Sequence, residues 1–428
     1  MSLVDAVADI IKTNRDEVVE LCSSLINIPT SNPPGDGYEQ FVRFLSQWFS
    51  KERIKFEITR VPETELSALL PGDCHGPRIF FEASIEGKKD GPILYLQGHY
   101  DTVAPAGNWT KAPFQAETDD EKLWGLGASD MKGGLASMMM AMKVLARVGG
   151  PPVGKVIFLA TPDEEFASGA NIRYLFARGK ISGDFAVVGE FSGVENLFVG
   201  MKGGIWGDLK VRGRAAHGSQ PLKGINAFEK LARVMVAIEE KFKPGLLMKK
   251  SLYKFIPPEY DSPTVMMGGM LRGSNVARSA VPDSATASFD LRTIPEDRDH
   301  GLVDEFREFL TSLRAEIPDL DLEVEVASQF PTYAVPEDSP LIQTFKKAIR
   351  GVTGNVPSLS ISCAATEAAF FAQKGIPAVA YGPGAWQTAH AKDEYVLVKD
   401  LEMASLVYAR VALLLLSNQS SSPPRGED

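Results

Sequence analysis

Five short apolar runs recur along this chain, and some are apolar throughout rather than at alternate positions. They are RIFFEASI (78–85), PILYLQGH (92–99), KVIFLAT (155–161), DFAVVGE (184–190) and PAVAYGPG (377–384), all rich in β-branched and aromatic residues. A strand with no polar face has to be covered on both sides, as a central strand of a parallel sheet is. Helical stretches lie between the runs. GLASMMMAMKVLARV (134–148) is one, stopped by Gly149-Gly150-Pro151-Pro152. Residues 3–27 carry helical apolar periodicity until TSNPPGDG (30–37) breaks it. Strands alternating with helices predict an α/β fold with a mostly parallel central sheet flanked by helices.

The middle of the chain follows a different pattern. GGIWGDLKVRGRA (203–215) alternates like a half-exposed strand. A helix is expected at about 225–240, strands near 263–271 and 284–293, a helix at about 300–314, and a further alternating strand at LEVEVA (322–327). The order β-α-β-β-α-β is that of a ferredoxin-like α+β sandwich. The expected organisation is therefore a discontinuous first domain (1–200 and 331–428) split by an inserted second domain (201–330). The strand at 203–215 is expected to be open enough to pair across a two-fold axis.

Composition narrows the class of function. With 428 residues the chain is long enough for two domains, and 44% hydrophobic residues supply their cores. Lys and Arg total 45 against 55 Asp and Glu, a net charge of −10. That balance lacks the basic stripe a nucleic-acid partner requires. Three cysteines, Cys22, Cys74 and Cys363, form no CxxC pair, so neither a disulfide framework nor a thiolate zinc finger is expected. The N-terminal segment has charges every few residues and no unbroken apolar core, unlike a signal peptide. LVYARVALLLL (406–416) is too short to span a bilayer and reads as a buried terminal helix. A cytoplasmic protein with no membrane partner is expected.

The apolar runs end in polar chemistry. The run at 92–99 closes on His99, with Asp101 two residues on. KVIFLAT leads to Asp163, Glu164 and Glu165, and FAVVG to Glu190. Asp130 sits in a Gly-rich loop opening a helix, and His390 follows the last run. Ligands of open α/β sheets bind beyond the carboxyl ends of the strands. Taken singly, each residue has an ordinary reading: a satisfied strand-end histidine, a solvated Glu-Glu turn, a helix-capping aspartate. Taken together, they converge on one sheet edge. Two divalent ions roughly 3.5–4 Å apart need a bridging carboxylate and further N and O donors. His99, His390, Asp130, Glu165 and Glu190 meet that need, and their chemistry suits zinc, with cobalt or manganese as alternatives. Glu164 is then free to move protons, and Asp101 can orient the His99 ring. The glycines at 125–127 do not make a dinucleotide loop, because the third glycine and the feeding strand are missing.

At these residues the sequence resembles the M20 family of di-zinc metallopeptidases and deacylases. The matching segments are GHYDTV (98–103), GASDMKGG (127–134), TPDEEFASGA (161–170), VVGE ending at Glu190, AAHGSQP (215–221) and YGPGAWQTAHAKDEYV (381–396). They follow the family's order over nearly the whole chain. The resemblance implies a zinc-peptidase-like catalytic domain with the insertion as lid and dimerisation domain. It implies one zinc on His99 and Glu190, another on Glu165 and His390, and Asp130 bridging both. Glu164 would be the general base and acid, Asp101 the orienter of His99, and His217 a lid residue that polarises the scissile carbonyl, commonly in the partner subunit's site. Arg292 would hold a substrate carboxylate, and Gly382 and Gly384 would bring backbone amides to the substrate. Two departures leave alternatives open. The family's lid asparagine position holds Ser279 here, with Asn275 four residues earlier. Glu367 stands where many members have aspartate, and either binds substrate or packs against the site. The implied activity is hydrolysis of an N-acyl amino acid or of a small peptide with a free carboxylate by a homodimer. A dipeptidase, aminopeptidase or carboxypeptidase is the alternative, and a non-catalytic metal-binding homologue is a further one. His75 and His300 match no motif.

Overall fold

The computed structural model describes residues 3–417, apart from Pro71, Asp73, Asp120, Ala167, Asn275, Val276 and residues 298–300, and apart from the Val4 side chain. The chain divides into two compact units. The first comprises Met1–Val199, Val335–Leu359 and Thr366–Asp428, and the second Gly200–Ala334 with Ser360–Ala365. The short return 360–365 belongs to the second unit, a detail the periodicity of 331–428 does not announce.

The first unit is built on β1 (Lys55–Arg60), β2 (Ile79–Glu86), β3 (Ile93–His99), β4 (Lys155–Thr161), β5 (Phe185–Val188), β6 (Asn196–Met201) and, late in the chain, the strand Ala378–Ala380. Their spatial order is β1-β2-β4-β3-β5, then Ala378–Ala380, then β6. The four central strands, β4, β3, β5 and Ala378–Ala380, run parallel, with antiparallel neighbours on either side. After their first residue β3 and β4 are buried at every position, as strands without a polar face must be. Helices complete the layers. The 3–27 periodicity is realised as two helices, Leu3–Thr13 and Arg15–Ile26, interrupted at Asn14. The helix Gly133–Arg147 is buried from Gly133 to Leu145, and the helix Val398–Leu415 takes up nearly all of the LVYARVALLLL run and buries most of it. No helix among the described residues is long and apolar enough to cross a membrane.

The second unit holds a four-stranded antiparallel sheet. Its strands are β7 (Gly203–Arg212), β8 (Thr264–Gly273), β9 (Ser284–Thr293) and β10 (Asp321–Phe330), in the order β8-β9-β7-β10. Helices Ala227–Ala237 and Gly301–Glu316 bury Leu231, Val234, Phe306 and Leu310 in one core with Leu209, Ala287 and Phe289 of the sheet. One expectation is overturned. β7 is paired along its length with β9 on one side and β10 on the other, so it has no free edge for a second chain. Alternation reports which face of a strand is buried and says nothing about its neighbours. Among the described residues the open edges are β8 and β10.

Candidate metal centre

The four parallel strands deliver their C-terminal ends to one place. β3 ends on His99, β4 leads through Pro162 and Asp163 to Glu164 and Glu165, β5 leads to Glu190, and Ala378–Ala380 leads to Gly382 and onward to His390. Asp130 comes from the loop before the helix Gly133–Arg147. Its carboxylate lies between two imidazoles. Oδ1 is 3.1 Å from His99 Nε2 and Oδ2 is 3.2 Å from His390 Nε2. His99 Nε2 also lies 3.9 Å from Glu190 Oε1, and His390 Nε2 lies 2.9 Å from Glu165 Oε2. Two groups result, His99–Asp130–Glu190 and Asp130–Glu165–His390, each with its donor atoms within 4.8 Å of one another and with Asp130 common to both.

The electrostatics of the cluster call for cations. Burial pushes Glu164 well above the usual carboxylate range, and neighbouring Glu190, Glu165 and Asp130 add to the shift. Glu190 is pushed up to about 8 by burial and by Asp130. Glu165 is raised for the same two reasons. Asp130 goes the other way, to about 2, because hydrogen bonds with His390 and His99 outweigh its burial. His390 is raised to about 11 by its hydrogen bonds to Asp130 and Glu165. Burial opposes the charge on His99, yet Asp101 and Asp130 hold its pKa well above the ordinary value. Four carboxylates share a poorly solvated space with two imidazoles, a set of N and O donors that suits divalent ions.

The turn carrying Glu164 and Glu165 is held from below. The Asp101 carboxylate accepts the backbone N–H groups of Glu164 at 3.2 Å and Glu165 at 3.1 Å. The His99 Nδ1 partner is the Asp101 carbonyl oxygen at 3.0 Å, with the Asp101 carboxylate at 3.5 Å. The ring orientation expected of Asp101 thus runs chiefly through its main chain, and its side chain sets the turn. Glu394 has no role in the sequence analysis, yet it shapes the same site. Its buried carboxylate accepts N–H groups from Gly127 (2.9 Å), Ser129 (2.8 Å) and Asp130 (2.9 Å). Burial and Asp130 push Glu394 up to about 8 against those three donors. The available signal was an acidic residue four positions after His390.

Other candidate residues have different surroundings. The Glu367 carboxylate accepts bonds from Gln97 Nε2, from Thr161 Oγ1 at 2.6 Å and from the N–H of Ile172 at 3.1 Å. With 1% of its surface exposed it lies beneath the ends of β3 and β4. The Gly382 N–H donates to Ser192 Oγ at 3.2 Å rather than facing outward. A Cβ there would lie 2.5 Å from the Gly189 carbonyl oxygen, and one on Gly384, at φ +96°, would lie 2.3 Å from Ser129 Oγ. Both glycines let segment 382–384 lie flat on the loops bearing Glu190 and Asp130. In the second unit, His217 pairs with Ala280 on a two-stranded ribbon, which places it beside Ser279. Its Nδ1 accepts the Ser219 N–H at 3.2 Å. Arg292 forks onto Asp290, Nε at 2.7 Å and Nη2 at 3.0 Å, and stacks over Trp206. Asn275 and His300 lie outside the described residues, and His75 is exposed.

Histidines and carboxylates that converge on one aspartate at the ends of parallel strands define a class, an α/β protein with two candidate metal groups. The chain belongs to peptidase family M20/M25/M40, whose sequence profile matches residues 95–414. It is a hydrolase of a metallopeptidase family. It is 29% identical to the succinyl-diaminopimelate desuccinylase of Methylorubrum populi over 91% of this chain and 96% of that one. It is 28% identical to the acetylornithine deacetylase of Klebsiella pneumoniae over 90% and 94%. Its fold matches a dinuclear metal-binding peptidase of the M20 family from Bacillus subtilis with a TM-score of 0.66 at 16% identity, covering 95% of this chain and 99% of that one.

Proposed function

We propose that this protein hydrolyses the amide bond of an N-acyl amino acid, or of a small peptide with a free carboxylate, at a two-zinc centre. One observation carries the reading: Asp130 presents one carboxylate oxygen to His99 and the other to His390. His99 and Glu190 are proposed to hold one zinc, Glu165 and His390 the other, and Asp130 both, with cobalt or manganese able to substitute. Bound there, the ions supply a water of lowered pKa and polarise the scissile carbonyl.

The remaining steps belong to the chain. Glu164, raised by burial, takes the proton of the attacking water and returns it to the departing nitrogen. Asp101 fixes the Glu164 backbone for that transfer. His217 is proposed to stabilise the oxyanion, commonly from the partner subunit. Its Nδ1 is engaged by Ser219, by the hydroxyl at 2.8 Å and the N–H at 3.2 Å, which leaves Nε2 as the ring nitrogen proposed to face the oxyanion. Arg292 is proposed to bind the substrate carboxylate, with Ser279 or Asn275 contributing a polar contact. The second unit has the strand order of a ferredoxin-like sandwich and is proposed as lid and dimerisation domain. The open edge of β8, with Met266, Met270 and Leu271 exposed, supports a homodimer through this unit. Cys22, Cys74 and Cys363 form no disulfide, which fits a reducing, cytoplasmic setting. The names of the two relatives above support a deacylase over a dipeptidase, aminopeptidase or carboxypeptidase.

The test is to load purified protein with zinc, cobalt or manganese and assay acetyl- and succinyl-amino acids beside dipeptides. Cleavage of at least one N-acyl amino acid is expected, and Glu164→Ala should abolish it with metal content unchanged. Turnover near wild type in Glu164→Ala would sink the assignment of the base.

A further inference from the structure

The residue before Glu164 has no role in the chemistry described so far, yet it is among the most heavily bonded side chains in the first unit. Asp163 is fully buried, and all the acceptor capacity of its carboxylate is used. Oδ1 accepts from Asn32 Nδ2 and from Tyr38 OH, each at 2.9 Å. Oδ2 accepts from Arg78 Nε at 2.7 Å and from Ser168 Oγ at 2.5 Å. Arg78 is itself without exposed surface. Its other nitrogens donate to the carbonyls of His75, Gly76 and Pro34, and its guanidinium lies 5.0 Å from the centroid of the Tyr38 ring. A Cβ on Gly35 would strike this guanidinium at 2.6 Å, so the TSNPPGDG segment is moulded around it.

Such a cradle is costly. A carboxylate and a guanidinium have been taken out of water, and four donors from three stretches of the chain are committed to one side chain. It also enforces an uncommon backbone. Asp163 sits at φ +62°, in the left-handed region that L residues seldom adopt. That conformation turns the chain out of β4 and aims the next residue, Glu164, at the cluster. Asn32 joins the cradle to the second support of the same turn. Its Nδ2 lies 2.9 Å from Asp163 Oδ1 and 3.3 Å from Asp101 Oδ2, and Asp101 holds the N–H groups of Glu164 and Glu165. The turn is clamped on both sides by groups that cannot themselves reach a substrate.

We infer that Asp163 and Arg78 are positioning residues whose buried pair fixes the backbone at Glu164, so that the base meets the attacking water in one geometry. The inference rests on the reading of Glu164 as base. A misplacement of about 1 Å far from the chemistry can cost on the order of a hundredfold in rate. Substrate affinity does not depend on that aim, and Glu165, one residue further along the turn, keeps its own support through the N–H that Asp101 accepts at 3.1 Å, so the loss falls on kcat.

Removing Arg78 alone strands a buried carboxylate and can prevent folding. The principal variant is therefore the neutral pair Arg78→Met with Asp163→Asn, supported by Tyr38→Phe, which removes one donor and keeps the ring. Expected for the neutral pair is a fall in kcat of about 30-fold or more, with KM within about threefold and two metal ions per chain. Tyr38→Phe should lose a smaller factor of kcat in the same pattern, so it decides the matter if the neutral pair does not fold. Arg78→Lys should restore part of the loss, because a lysine keeps the charge without the fork. The decisive measurement is a double-mutant cycle with Glu164→Asp, which retains a carboxylate of shorter reach. If the cradle acts through Glu164, the combined loss is clearly smaller than the product of the separate losses. Wild-type kcat in the neutral pair, or losses that multiply, would overturn the inference, as would a loss of metal matching the loss of rate. Near-wild-type turnover in Glu164→Asp and Glu164→Ala alike would instead overturn the reading of the base, which the cycle reports separately.

Discussion

Single carboxylates in this protein do two different jobs, and the geometry tells them apart. Glu190, Glu165 and Asp130 face imidazole nitrogens. Glu394 faces three main-chain N–H groups and holds the Asp130 loop in shape. An isosteric Glu394→Gln keeps the volume and one acceptor oxygen but turns an NH2 group toward a buried N–H. Each buried donor left unsatisfied costs about 1–3 kcal/mol. The variant should therefore lose about 2 kcal/mol or more of unfolding free energy. Disturbing a residue that orients a ligand typically costs about 10–100-fold in metal affinity. Urea unfolding and a competitive zinc titration check the two effects. Unchanged metal affinity would show that the loop holds Asp130 without Glu394. This role was not legible in the sequence for a physical reason. Glu394 acts on main-chain groups 264–267 positions earlier, and only the folded backbone brings those N–H groups together. His99, Asp130, Glu164, Glu165, Glu190 and His390 were legible because each closes or follows a buried run or opens a buried helix. A polar residue there has few alternatives to a site.

The helix Gly133–Arg147 shows how an element transmits precision to the site. It begins three residues after Asp130, and its second residue abuts the strand end that carries Glu190. A Cβ on Gly134 would lie 2.0 Å from the Gly189 carbonyl oxygen, a backbone atom that cannot swing away. By helix propensity alone, Gly134→Ala should stabilise by roughly 1 kcal/mol. The contact argues for the opposite sign. Either the helix shifts away or the Gly189–Glu190 peptide moves, and overpacking of this kind costs about 1–3 kcal/mol. The expected outcome is a lower unfolding midpoint together with weaker metal binding, since Asp130 and Glu190 lie on the two sides of the contact. A midpoint above wild type would show that the gap can open freely. The elements also mark where sequence patterns stop being informative. Burial on both faces of β3 and β4 was written in their composition. The place of β7 between β9 and β10 was not, since two faces of a strand leave its two edges undetermined. The Asp163 cradle was equally hidden, because Arg78 reads as the polar start of a strand and TSNPPGDG as a helix breaker.

At the scale of the whole chain, the metal centre should govern how stability responds to pH. In metal-free protein, burial raises Glu190 from 4.5 to about 8. Between those values the folded chain binds more protons than the unfolded one, so stability falls as pH rises through that window. His390 acts in the same direction. Its hydrogen bonds to Asp130 and Glu165 raise it from 6.5 to about 11, so the stability it contributes is complete below 6.5 and drains away as pH climbs toward 11. Asp130 opposes them, but its window lies between about 2 and 3.8, below the range of interest. Metal-free protein should therefore lose stability from pH 5 to pH 8, opposed only above about pH 7 by Lys132, which burial lowers from 10.5 to about 7. Divalent ions replace the protons on these donors, and their binding strengthens as the donors deprotonate. Binding to the folded state adds about 2.7 kcal/mol when free metal is 100 times its dissociation constant. Metal-loaded protein should be the more stable form, with a flatter profile, and the gap between the two should widen with pH. Since one unit of pKa shift corresponds to about 1.4 kcal/mol, the widening should exceed about 1 kcal/mol between pH 5 and pH 8. Chemical unfolding at both pH values, after chelation and after zinc loading, measures all four corners. A gap that stays constant or narrows would mean that the cluster is not where the ions bind, and the proposed centre would have to be abandoned.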